Sequence, residues 1–273
     1  MLFRRKIARL ARRVSNVRLS TLWTLVQIAA ALASAMFATR AMAEEACSVR
    51  SAAQSAPVVE LYTSEGCNSC PPADRWMSKL KADPSVVALA FHVDYWDRLG
   101  WTDRFASARY TERQSQTQAS SGARFSYTPQ VLVDGADRHD WSRIPGFASA
   151  REPASPVDVR VMREGNRYVA TIRPVPGANS GPNASPSRLS AYWAVTENDH
   201  VSAVKAGENE GVTLHHDFVV REYSPVAAWA ADTPSVLRFE PSIPRDSAHP
   251  PTVNLVVVDA AKGRPVQAVK LGC

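Results

Sequence analysis

Two cysteines separated by two residues, Cys67-Asn68-Ser69-Cys70, carry the most reactive chemistry in this 273-residue sequence. Thiols at that spacing close a small disulfide ring that opens and recloses with little movement of the scaffold, which is what thiol–disulfide exchange requires. The reaction needs a thiolate. A free cysteine with pKa about 8.5 is a few per cent ionised near neutral pH, and helix N-termini and Cys-x-x-Cys motifs lower that value to about 3.5–7.5. Residue order makes Cys67, the more N-terminal sulfur, the exposed nucleophile, and Cys70 the thiol that resolves a mixed disulfide. Thr128-Pro129 is a second feature of the same chemistry, because a proline offers backbone to a bound partner without an N–H of its own. Asp94, at the end of an apolar run, is a carboxylate that can relay a proton from Cys70.

These residues need elements to hold them. Pro57 to Thr63 is apolar and reads as a strand running into the cysteines. Beyond them Ala73, Trp76, Met77 and Leu80 recur at helical spacing, predicting a helix from Pro72 to Lys81. Pro71-Pro72 disfavours helical geometry at Cys70 and Pro71, so Cys67 is expected to feel less of the helix dipole. Val86 to Val93 is nearly continuous in apolar residues, the composition of a strand covered on both faces, and it ends in Asp94-Tyr95-Trp96-Asp97. Thr102 to Gln118 reads as helical, and Gln130 to Val133 as a strand closed by the Asp134-Gly135 turn. Strand, Cys-x-x-Cys, helix and a later Thr-Pro opening a strand is the layout of a thioredoxin-type redox centre. The expectation over 44–152 is an α/β thioredoxin-like domain, a mixed sheet with flanking helices. Ser48 to Ala56 is expected to be linker, and Ile144 to Arg151 to hold a last helix. After Glu152-Pro153 the pattern changes to period two (Val157, Val159, Val161; Tyr168, Ala170, Ile172; Leu189, Ala191, Trp193, Val195), with Pro, Gly and Asn clusters between runs. That predicts an all-β sandwich-like domain over 153–273.

Other readings of the same residues stay open. Cys67 and Cys70 can form an inert staple, although a four-residue ring gains little from cross-linking. With His92 they can contribute to a metal site. Cys47 and Cys273, near the two ends of the exported chain, are candidates for a structural disulfide enclosing almost all of it. His215-His216-Asp217 reads as a surface or edge feature, since adjacent strand residues point to opposite faces.

The chain holds 32 basic and 26 acidic residues, but eight of the basic ones lie in the first 43 residues, which contain no acid. The remainder is slightly acidic, 24 against 26, which argues against a nucleic-acid partner. Residues 1–43 read as a signal peptide: a basic start, an apolar stretch from Leu22 to Phe37, and Ala41-Met42-Ala43 as the cleavage site. The expected location is exported, periplasmic or secreted, after cleavage near Ala43, with membrane contact only through an uncleaved leader. Four cysteines suit an oxidising compartment.

Three stretches together resemble a bacterial family of secreted thioredoxin-like proteins, domain of unknown function 1223. They are Val59-Glu60-Leu61-Tyr62-Thr63-Ser64-Glu65-Gly66-Cys67 with Ser69-Cys70-Pro71-Pro72-Ala73-Asp74; His92-Val93-Asp94-Tyr95-Trp96-Asp97 with Leu99-Gly100-Trp101 and Asp103; and Tyr127-Thr128-Pro129-Gln130. The resemblance implies a thioredoxin-like domain followed by a β-rich one, and supplies no activity. The function expected from the residues is an exported thiol–disulfide oxidoreductase acting on protein thiols or a redox partner protein, with no cofactor beyond the dithiol itself. The alternative is a non-catalytic thioredoxin-like binding module of the cell envelope.

Overall fold

The structure, a computed structural model, describes residues 47–144, 146–147, 154–177 and 186–273. In chain order the elements are β1 (Ser48–Arg50), β2 (Val58–Thr63), α1 (Pro71–Ser78), β3 (Val87–His92), α2 (Ala108–Ser121), β4 (Gln130–Val133) and β5 (Ala136–Asp137). The second half adds β6 (Val157–Glu164), β7 (Arg167–Pro174), β8 (Arg188–Glu197), β9 (His200–Ala203), β10 (Thr213–His216), β11 (Val219–Ala230), β12 (Ser235–Phe239), β13 (Thr252–Asp259) and β14 (Pro265–Leu271). The fold is β-rich, with two α-helices among the described residues.

One eight-stranded mixed sheet, in the order β14-β13-β8-β11-β3-β2-β4-β5, runs through the whole chain. The join is β11 beside β3, parallel, with Val219 opposite Ala90. A four-stranded sheet, β1-β6-β7-β12, covers the part of it formed by the second half. Between the two sheets lie Val157, Val159, Val161, Tyr168 and Ile172 on one side, and Leu189, Trp193, Leu255 and Val257 on the other. These are the alternating apolar positions, so the period-two pattern does mark a sandwich layer. Ser48–Ala56 is more than a linker: Ser48–Arg50 pairs with Arg160–Met162 of β6, and Gln267 Nε2 donates to the carbonyls of Ala52 and Gln54. The boundary expected at 152/153 lies outside the described residues. On either side of it the chain builds the same large sheet, and Ser48–Cys273 is one compact unit.

β2 and β3 are buried at every residue because both faces of the sheet are covered there. Val59, Leu61, Ala88 and Ala90 face Ala73, Trp76 and Met77 of α1 and Leu80 of the 3₁₀ turn after it. Val58, Tyr62, Val87, Leu89 and Phe91 face the opposite way, where Tyr110 of α2 packs. Ser107 caps α2 by accepting from Arg109 N, and Gly122 ends it at φ 87°. The second hairpin strand, hard to see in the sequence, is only Ala136–Asp137; Asp134 and Gly135, at φ 50° and 75°, make the tight turn before it. Trp141–Arg143 is a 3₁₀ turn, and most of the expected last helix lies outside the described residues, as does the leader, 1–43. No helix among the described residues is long and apolar enough to cross a membrane. Cys47 and Cys273 are both in disulfide linkage, and the Cys273 carbonyl accepts from Arg163 and Arg245.

Candidate functional site

β2 delivers the chain to the end of the sheet, and residues 64–69 turn from it into α1. Cys67 and Cys70 are joined by a disulfide with Cα atoms 5.4 Å apart. Cys70 is the N-cap of α1, and its carbonyl accepts from Ala73 N at 2.9 Å and Asp74 N at 3.2 Å. The helix thus begins one residue earlier than expected. Those two bonds fix Cys70 at φ −78°, ψ −38° despite the proline after it, and Pro71 and Pro72 take the first-turn positions that need no N–H donor.

Both sulfurs are enclosed. Cys67 and Cys70 have no exposed surface, whereas Asn68 and Ser69 between them are exposed. This corrects the expectation of an exposed Cys67. The cover is the loop from Val204 to Val212, between β9 and β10: Asn209 Nδ2 donates to the carbonyls of Glu65 (2.8 Å) and Cys67 (3.0 Å), and Glu208 accepts from Asn68 N at 3.2 Å. Nothing in the local pattern around the cysteines announces a cover contributed from some 140 residues further along the chain.

The Thr128–Pro129 bond is cis. Tyr62 of β2 pairs with Gln130 of β4, so Thr128-Pro129 lies at the end of the sheet from which the cysteine loop departs. Trp96 connects the two. Its Nε1 donates to Thr128 Oγ1 at 2.8 Å, and its Cβ would stand 3.1 Å from a Cβ built on Gly66. Gly66 therefore admits Trp96 against the residue preceding Cys67. Gln114 of α2 fixes the Tyr127 carbonyl, donating at 2.8 Å. Asp94 is engaged elsewhere: Thr111 of α2 donates to its carboxylate at 2.6 Å and accepts from its N–H at 3.2 Å.

Beside the cysteine loop, on the α1 face of the sheet, five buried ionisable groups gather. His92 Nδ1 lies 2.6 Å from Asp103 Oδ2, and that oxygen also accepts from Glu65 N at 2.9 Å. His216, from β10, sits between two carboxylates, with Glu65 Oε1 at 3.5 Å and Asp74 Oδ1 at 3.9 Å. Asp74 also accepts from Thr63 Oγ1 at 3.1 Å, and Glu65 from Trp101 Nε1 at 2.7 Å. The His92 and His216 rings are 5.0 Å apart. Burial alone would push His216 down, but Asp74 and Glu65 outweigh it and raise its pKa to about 9. Burial would raise Glu65 and Asp103, yet His216 holds Glu65, and His92 holds Asp103, below the ordinary carboxylate value.

Of the residues expected to form the site, Cys67, Cys70, Thr128 and Pro129 lie at the same end of the sheet, and His92 is buried in the charged cluster. Glu65, Asp74, Asp103 and His216 have no chemical role in the sequence-based expectation. His216 is no surface feature, being 2 % exposed; the alternation that leaves His215 outside turns His216 inward. Asp74 follows Cys70 by four residues, the spacing that puts two side chains on one helix face, and this could have been found. Among the described residues, no group of three or more His, Cys, Asp or Glu is arranged to hold a metal ion.

Fold and site together define a β-rich protein carrying a closed Cys-x-x-Cys ring at a helix N-terminus, above a buried histidine–carboxylate cluster. The chain belongs to the family described as protein of unknown function DUF1223, whose model matches residues 58–258. It is similar to the crystal structure of protein AGR_C_4864 from Agrobacterium tumefaciens, at 29 % identity, TM-score 0.57, covering 80 % of this chain and 94 % of that one. It also shares its fold with HBP35 of Porphyromonas gingivalis, at 15 % identity, TM-score 0.55, covering 81 % of this chain and 76 % of that one. No curated protein sequence matches the chain.

Proposed function

We propose that this protein is an exported thiol–disulfide oxidoreductase built on a thioredoxin-like arrangement of β2, α1, β3 and β4. One observation carries the reading: the Cys67–Cys70 ring closes at the N-cap of α1, at the same end of the sheet as Thr128-Pro129. In the reduced enzyme the Cys67 thiolate attacks a partner disulfide, forming a mixed disulfide and releasing one partner thiolate. Cys70 then loses its proton and attacks Cys67, which reforms the ring and releases the second partner thiolate. Two electrons pass from the dithiol to the partner, and its two sulfurs leave as thiols after protonation. Cys70 and Asp74 stand four apart on one helix face, roughly 5–6 Å between Cβ atoms for that spacing, so Asp74 is the carboxylate best placed to accept the Cys70 proton. His216 beside it balances the charge. Export rests on the signal-like segment 1–43.

A second reading has an observation in its favour. Complete burial of both sulfurs suits a non-catalytic envelope binding module in which the ring is a staple. Trapping separates the two. Purified Cys70→Ser protein, incubated with reduced and oxidised envelope extract, is expected to accumulate mixed disulfides through Cys67 that reductant releases. Absence of such adducts, with the variant folded, would leave the binding module standing.

A further inference from the structure

The cover over the dithiol differs from the rest of the second half in how it is held. β9 and β10 form a two-stranded sheet of their own, four residue pairs long, paired as strands with neither large sheet. A ribbon of that size has little stability of its own, so its position depends on what holds its two ends. The base is tied down firmly. Lys81 reaches Asp199 and Asp217 at 2.8 Å each, Asp199 N donates to Asp217, and Phe218 N donates to Asn198. The flanks are packed as well, through His200, Ser202, Leu214 and His216, all buried.

The tip is held quite differently. Val204 to Val212 closes on itself through Val204 N to Val212 O, Gly211 N to Val204 O and Val212 N to Asn209 O, so it keeps its shape as a unit. Its polar grip on the cysteine loop is the Asn209 amide on the Glu65 and Cys67 carbonyls and the exposed Glu208 carboxylate on Asn68 N. Asn209 is itself buried, at 5 % exposure, and the Cα of Gly207 lies against Trp101, leaving a Cβ there only 3.3 Å from the Trp101 Cβ.

We infer that the Val204–Val212 loop is a lid that must lift before either sulfur can react, hinged where it leaves the packed strands β9 and β10 and latched by Asn209. The proposal rests on the Cys67–Cys70 pair being the working group, and it describes how that group is regulated. A partner gains the dithiol by displacing Asn209 from the two carbonyls, and those carbonyls then become free to accept from the partner's own backbone. A fixed anchor at the base and few bonds at the tip are what local opening without global unfolding demands.

The test reads access alone, so it stands apart from whether the protein exchanges disulfides with any partner. The Cys67–Cys70 disulfide of the full chain is reduced with tris(2-carboxyethyl)phosphine under native conditions; the phosphine takes up oxygen from water as the disulfide becomes two thiols. Wild-type reduction is expected to be far slower than in urea, and Asn209→Ala to speed it roughly tenfold, the scale of losing two hydrogen bonds to backbone. Glu208→Gln, which retains an acceptor for Asn68 N, is expected to stay within about twofold of wild type on the same scale. A rate in folded Asn209→Ala within twofold of wild type overturns the lid. Hydrogen exchange on the wild type is an independent measurement that needs no variant. The Asn68 amide, whose bond to Glu208 crosses from the cysteine loop to the lid, should open well before those of β2 and β3, and its exchange only through global unfolding also overturns the lid.

Discussion

Two buried charged clusters sit on opposite faces of the same sheet, and they are built to different standards. On the α2 face Glu60 meets Arg113 in a two-pronged pair at 2.7 and 3.0 Å. Tyr62 and Tyr192 hydroxyls complete it, and the guanidinium lies 4.7 Å from the ring centres of both Phe91 and Tyr192. On the α1 face His216 stands 3.5 and 3.9 Å from its two carboxylates, and neither of its ring nitrogens has a protein hydrogen-bond partner. The first cluster is a brace, joining β2, α2 and β8 across the two halves of the chain. The second is loose at His216, although its His92–Asp103 contact is 2.6 Å, and it is the one beside the cysteines. Tight pairing and chemical responsiveness are alternatives for buried charge, and this fold assigns one to each face.

The largest effect should come from breaking the brace. Arg113→Met leaves Glu60 buried without its counter-charge, and a loss of about 3–5 kcal/mol in urea unfolding is expected, with Glu60→Leu in the same chain recovering most of it. A loss under about 1 kcal/mol would show that the pair is not holding the halves together.

Next in size is a pH effect confined to the looser cluster. His216 binds its proton more tightly folded (about 9) than at its ordinary value of 6.5. Its stabilisation is therefore whole below about 6.5 and is lost as pH rises through about 9, on the order of 3 kcal/mol in all. The depressed carboxylates Glu65 and Asp103 act oppositely, losing their contribution as pH falls through their lowered values. Stability measured from pH 6 to 10 should decline in wild type and flatten in His216→Gln. Equal slopes in both would remove His216 from the titration.

The same contrast explains what the sequence could reveal. Strand β2, α1, β3 and β4 were legible because their apolar periods are local and their ends are marked by Pro71, Asp134 and Gly135. The sandwich strands β6, β7 and β8 were legible for the same reason. What escaped is non-local. β1 and β14 belong to sheets only through partners more than a hundred residues distant or through a neighbouring hairpin arm. β11 joins the halves by a single parallel pairing that no periodicity encodes. The site followed suit. Cys67, Cys70 and Thr128-Pro129 could be named from their types, whereas the burial of Cys67 depends on Asn209 and the balance of charge on His216. Both arrive on a hairpin of four-residue strands, too short to show a period.

On the proposed oxidoreductase reading, the smallest effect decides which carboxylate serves the dithiol. Asp94 follows β3 by two residues, beside Thr111, and its loss there is worth about 1 kcal/mol, that of a half-buried hydrogen bond. Asp74 shares a helix face with Cys70 and touches His216, so its removal should act on the chemistry more than on stability. In single-turnover reactions of the reduced protein with a disulfide peptide, Asp94→Asn is expected to resolve mixed disulfides within about twofold of wild type. Asp74→Asn should slow the Cys70 step by at least about tenfold, and more steeply at low pH, where fewer thiols ionise without help. The reverse ranking would return the proton to Asp94 and leave the cluster on the α1 face a purely structural counterpart of the brace.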